Sequence, residues 1–170
     1  MACVVVLAAQ VPIPQEYQVK AALIYNLAKF VEWPAVALPE TSTDMALCIV
    51  GEDPFGPNLD HTIAGKRVHS KRLTISRLRT VQDVGGCHIV FIGMLARPDL
   101  VQTLDAAQDS HALTIGETDQ FTNLGGMIFL TMEGNRVQFE VNMEAVERAK
   151  LRISSKALKL ARAVKGGELN

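Results

Sequence analysis

The sequence predicts an α/β domain, a mostly parallel sheet flanked by helices with a C-terminal antiparallel hairpin. Three observations predict it. Met45–Val50 is a continuous apolar run, and His88–Ile92 and Ala112–Ile115 are further short, mainly apolar runs, each of the three closed by a glycine (Gly51, Gly93, Gly116). Strands buried on both faces read this way. Helical patterns separate these runs, and buried strands alternating with helices give a parallel sheet covered on both sides. Towards the end, Met127–Thr131 and Arg136–Val141 flank Met132-Glu133-Gly134-Asn135, which reads as a hairpin turn.

The elements follow in order. MACVVVLAAQ is short, apolar and ends in small residues, so residues 1–9 resemble the later part of a secretory signal, with Ala9 as the last residue before cleavage. No basic stretch precedes it, and an N-terminal strand or tail is the alternative reading. The segment is too short to span a bilayer, and no other run reaches about 18 apolar residues, so no direct membrane insertion is expected. Glu16–Val31 reads as a helix: Val19, Leu23, Leu27 and Val31 recur at four-residue steps, with Ala22 and Phe30 beside them, and Pro34 ends it. Pro39–Asp44 is a linker. Pro54–Ala64 holds a short helix stopped at Gly65. Arg67–Ser76 alternates and reads as one less buried strand or two short ones, which makes Lys66-Arg67 and Lys71-Arg72 a solvated face. Pro98–Gln108 is a helix with Leu100, Val101, Leu104 and Ala107 on one side. Asn142 can cap a helix over Met143–Ala149, and Ser154 or Ser155 a last helix ending before Gly166-Gly167. Leu23, Leu27, Phe30, Ile49, Ile89, Phe91 and Ile115 are the expected core.

The chain has 170 residues, 48% hydrophobic and 21% charged, enough for one domain with its own core. A net charge of −1 gives no whole-molecule field for nucleic acid. Cys48 and Cys87 fall on predicted strands, and in an exported protein they would meet an oxidising compartment. A disulfide between them is expected; two buried thiols are the alternative.

Motifs for catalysis are missing. His61, His69, His88 and His111 lack the i, i+4 spacing of a helical zinc site, and no Gly-x-Ser-x-Gly elbow, Walker loop or dinucleotide fingerprint occurs. No metal site, cofactor or enzymatic activity is expected. Two features could bind. In open α/β sheets, ligands sit outside the carboxyl ends of the strands, where Glu52, Asp53, Glu117 and Asp119 would give a crevice an acidic lining; ordinary loops are the competing reading. In the hairpin, Val137, Phe139 and Val141 point one way and Arg136, Gln138, Glu140 and Asn142 the other. One face is therefore apolar. The other is mixed, as interaction surfaces are, unless a helix covers it.

Several stretches carry a family resemblance: YQVKAALIYNLAKFVEWP (17–34), GCHIVFIG (86–93), LTIGET (113–118), GGMIFL (125–130), FEVN (139–142) and ISSKALKLAR (153–162). Together, in this order, they resemble the YfiR/HmsC-like family of small periplasmic proteins, over a single domain at 16–164. The resemblance implies a periplasmic repressor that binds the sensor region of an inner-membrane diguanylate cyclase. It would thereby lower cyclic-di-GMP signalling and biofilm formation, with homodimerisation left open. Family members can carry a further cysteine pair in the C-terminal part; this chain has no cysteine after Cys87. The alternative function is a periplasmic small-molecule sensor or carrier using the strand-end crevice.

Overall fold

A computed structural model describes residues 15–167, so the signal-like segment at 1–9 lies outside the described residues. The chain runs α1 (Gln15–Ala28), β1 (Val31–Glu32), β2 (Asp44–Val50), α2 (Pro57–Ile63), β3 (Arg67–Val68) and β4 (Lys71–Leu78). A 3₁₀ turn (Val81–Gly86) leads into β5 (Ile89–Ile92), α3 (Arg97–Asp109), β6 (Leu113–Gly116), β7 (Ile128–Glu133) and β8 (Arg136–Asn142). The chain closes with α4 (Met143–Arg148), β9 (Arg152–Ile153), α5 (Ser155–Leu158) and β10 (Ala163–Lys165). Eight strands form one sheet in the order β10-β8-β7-β6-β5-β2-β4-β3, and β1 pairs with β9 separately. The run from β4 through β2, β5 and β6 to β7 is parallel; β7 and β8 form the antiparallel hairpin. This is the predicted α/β class.

The apolar runs become the middle of the sheet because both of their faces are covered. Leu47, Ile49, Ile89, Phe91, Leu113, Ile115, Ile128, Leu130, Phe139 and Val141 pack with α1, α2 and α4 on one side. Cys48, Val50, Val90 and Ile92 pack with α3 and the 3₁₀ turn on the other. A continuous apolar sequence is what two-sided burial demands. The disulfide joins Cys48 to Cys87, with Cα atoms 5.9 Å apart, and ties the end of the 3₁₀ turn to β2. Asn142 Oδ1 accepts from Ala145 N (3.2 Å), and Ser154 Oγ from Ala157 N (3.4 Å), so both expected caps form.

Four expectations need correction. The first helix stops at Ala28, not Val31. A turn follows (Phe30 N to Leu27 O, 2.9 Å), and Val31–Glu32 pairs with Arg152–Ile153, which satisfies backbone that a longer helix would have used itself. The buried stripe of α1 is shifted by one residue: Lys20, Ala21, Ile24, Leu27 and Ala28 face inward, whereas Val19 is 47% exposed and Leu23 is half-buried, as is Phe30 after the helix. Apolar residues surround much of this helix, so their spacing does not set which side faces in. The last helix is one turn only. Ala163–Lys165 instead adds a parallel strand to β8, where Arg162 N donates to Phe139 O at 2.8 Å. Finally, Lys66, Arg67 and Arg72 are exposed as expected, but Lys71 is buried, donating to Glu40 O (3.1 Å) and Ser42 O (2.8 Å).

Candidate functional site

The parallel strands β2, β5 and β6 all end at the same rim, and the backbone is drawn in tightly there. A Cβ on Gly93 would lie 1.8 Å from Glu52 O, so only glycine lets the loops after β2 and β5 cross so closely. Phe121 is clamped between Gly116 and Gly126, where a Cβ would come within 2.4 and 2.2 Å of its ring. These contacts fix the loop after β6, which carries Glu117, Thr118 and Asp119.

Beside this rim lies a crevice of about 520 Å³, within the roughly 300–1,000 Å³ of ligand sites. Its walls come from three places. The first turns of α1 supply Glu16, Tyr17 and Lys20. The loop after β5 supplies Met94 and Leu95, and the loop after β6 supplies Glu117, Thr118 and Asp119. The far wall is β7, from Phe129 to Met132. Glu117 and Asp119 thus line the crevice. Asp53 and Glu52 do not. Asp53 Oδ1 accepts from Phe55 N (2.8 Å) and Oδ2 from Arg77 Nε (2.7 Å), which ties the loop to β4. Glu52 is exposed beside it.

The floor of the crevice is a charge cluster. Lys20 is only 3% exposed and donates to Glu16 Oε1 and to Glu117 Oε2, the latter at 2.6 Å. Its ammonium lies 4.7 Å from the centre of the Tyr17 ring. The Tyr17 hydroxyl donates to Glu117 Oε1 at 3.1 Å. Burial first, and then the Glu117 charge, push the Tyr17 hydroxyl well above its usual pKa, so it stays protonated and keeps donating. The sequence reading missed Glu16, Tyr17 and Lys20. Their one signal is the i, i+4 spacing of Glu16 and Lys20, which reads as a surface helix pair.

The hairpin row lies next to the crevice. The register pairs Phe129 with Glu140, Thr131 with Gln138 and Glu133 with Arg136, so the polar row of β8 shares a face with Phe129 and Thr131. Gln138 and Glu140 are half-buried and Arg136 is exposed. Lys165 of β10 lies 3.6 Å from Glu140 Oε2. Over β2, β5 and β6 this side of the sheet is covered by α3 and the 3₁₀ turn.

The histidines hold the frame. His88 Nδ1 accepts from Ala46 N (3.0 Å) and its Nε2 donates to Ala37 O (3.1 Å), which requires the neutral ring; burial lowers its pKa in the same sense. His69 bonds to Val31 O and His111 to Ala149 O, while His61 is exposed. Among the described residues no group of three His, Cys, Asp or Glu side chains could hold a metal ion, and no helix is long and apolar enough to cross a membrane.

Solved structures that share the fold include two of low sequence identity. One is a conserved domain protein from Vibrio cholerae O1 biovar El Tor N16961, with TM-score 0.57 and 13% identity over 85% of this chain. The other is the ABC domain in complex with L-Trp from Streptococcus pneumonia, with TM-score 0.54 and 8% identity over 87% of this chain. The chain spans 60% of the length of each. Residues 17–162, from the crevice tyrosine of α1 to the residue before β10, match the YfiR/HmsC-like family, a regulatory rather than catalytic group, and the chain belongs to it.

Proposed function

We propose that this protein is a periplasmic regulator that binds the sensor region of an inner-membrane diguanylate cyclase and holds the cyclase inactive, lowering cyclic-di-GMP. The observation that carries the reading is the mixed face of β7 and β8. Phe129, Thr131, Gln138 and Glu140 are half-buried and adjoin exposed Arg136, on a face where apolar and polar groups alternate. Family membership supplies the class of partner. Repression then follows from preferential binding to the inactive sensor, since a ligand shifts an equilibrium only by its difference in affinity for the two states.

Glu140 is the residue to test, but its neighbour Lys165 complicates a simple reversal. Glu140→Lys places two ammonium groups side by side and should cost roughly 1 kcal/mol of stability. Adding Lys165→Glu restores an opposite pair and should recover most of that loss. Cellular cyclic-di-GMP, measured by mass spectrometry, should rise when the protein is removed and fall when the wild type is returned. The folded double variant should fail to lower it. An unchanged cyclic-di-GMP level on removal would sink the reading; a double variant that represses normally would remove Glu140 from the partner surface.

A further inference from the structure

We infer that the strand-end crevice is a docking slot for an extended segment of the partner, which adds to the open edge of β7 and places a basic side chain over the carboxylates of α1 and the β6 loop. This inference rests on the partner-binding reading above and deepens it. The first support is the backbone. β6 ends at Gly116, opposite Phe129, yet β7 continues to Glu133. Among the described residues, β7 from Leu130 onward has a strand neighbour on the β8 side only. Glu133 and Arg136 close the two-residue turn and form a hydrogen-bonded pair. By the alternation of an antiparallel ladder, the N–H and C=O of Met132 point away from β8, into the crevice. A strand edge of this kind is the template used in β-augmentation. Here the crevice, rather than open solvent, lies against it.

Charge is the second support. Glu16, Glu117 and Asp119 face the crevice, and among the described residues Lys20 is the one cation in its lining. Lys20 is buried beneath Glu16 and Glu117, so an incoming group meets carboxylates first. Asp119 is exposed. Negative potential in a partly dry cleft favours a cation. The rim is apolar: Met94 is 77% exposed and Met132 37% exposed, flexible thioethers suited to the aliphatic stem of an arginine or lysine. The third support is continuity. Thr131, in the crevice wall, pairs directly with Gln138 of the polar row, so a segment in the slot and a body on the row would form one interface.

The test uses the full chain in a bacterium whose membrane carries a diguanylate cyclase. A photo-crosslinking phenylalanine is placed at position 132, at position 138, or at position 36 as a control remote from both features. Adducts are mapped to single residues by mass spectrometry. The expected adduct from position 132 lies in an extended periplasmic segment, with an arginine or lysine within two residues of the link; position 36 gives none. A synthetic peptide of that segment is then titrated into purified protein. Met132→Pro removes the outward N–H while leaving the ladder to β8 intact, and Asp119→Lys reverses an exposed charge. Each should weaken peptide binding at least tenfold with the melting temperature retained. Replacing the peptide's basic residue by glutamate should do the same. Adducts from position 138 but none from 132 would overturn the slot and leave the partner face standing. So would a linked segment that is helical or acidic, or peptide binding by both variants within twofold of wild type. No adduct from either position would overturn both.

Discussion

Each end of the sheet buries a lysine, and the two are held by different chemistry. At the carboxyl end, Lys20 is clasped by the carboxylates of Glu16 and Glu117. At the amino end, Lys71 donates to backbone carbonyls, those of Glu40 and Ser42. The second arrangement gives the lysine neutral acceptors in place of an opposite charge, and Lys71 joins burial in keeping His88 neutral. The first arrangement over-compensates its lysine and leaves a negative crevice. Neutral acceptors stitch the amino end: the Trp33 indole donates to His88 O at 3.0 Å, and the His88 ring bridges Ala46 N and Ala37 O. The difference teaches that a buried charge has two solutions, and that they leave fields of opposite sign: positive around Lys71, where it reaches His88, and negative over the crevice.

Experiments can separate the ends. The Cys48–Cys87 bridge lies between them and closes a loop of 39 residues in sequence separation. Its loss through paired Cys→Ser substitution should lower stability by about 2–4 kcal/mol in urea titrations, with the native fold retained by circular dichroism. Lys20→Met comes next. It strands Glu16 and Glu117 together without a cation, a loss of about 3 kcal/mol, moderated because both carboxylates are partly exposed. Lys71→Met leaves two carbonyls without a donor and should cost only about 1–2 kcal/mol. Equal losses for the two lysines would break the comparison.

The smallest effect is on pH dependence. His88 has a folded pKa below its ordinary 6.5, so the unfolded chain takes up its proton first as pH falls. Its contribution is fully present above about pH 6.5 and is lost as pH drops from there towards the folded value. Urea titrations at pH 7.5 and 5.5 should show a steeper loss for wild type than for His88→Asn. Parallel losses would assign the slope to other groups.

Much of this architecture was legible in the sequence, and the limits have physical causes. The central strands were readable because two-sided burial leaves an unbroken apolar run, and the hairpin because its turn is marked by Gly134-Asn135. The caps at Asn142 and Ser154 were local, hence visible. Glu117 and Asp119 were placed at the strand ends by the general geometry of parallel sheets. What escaped depends on distant partners. Ala163–Lys165 is a strand only because β8 offers it an edge. Val31–Glu32 leaves the helix only because Arg152–Ile153 is beside it. Lys20 and Lys71 look like surface residues until their acceptors, in Glu117 and in the Glu40–Ser42 segment, are brought in from elsewhere in the chain.

The Cys48–Cys87 bridge also has a mechanical consequence. The loop it closes contains α2, β3, β4 and the 3₁₀ turn. Its 39 peptide steps, at about 3.3–3.6 Å each, amount to roughly 130–140 Å of contour length. Pulled by its ends, the oxidised chain would stretch short by about that amount, and the missing length would appear in force–extension traces only after reduction. Any machine that threads polypeptide in single file would meet a covalent ring with two tails.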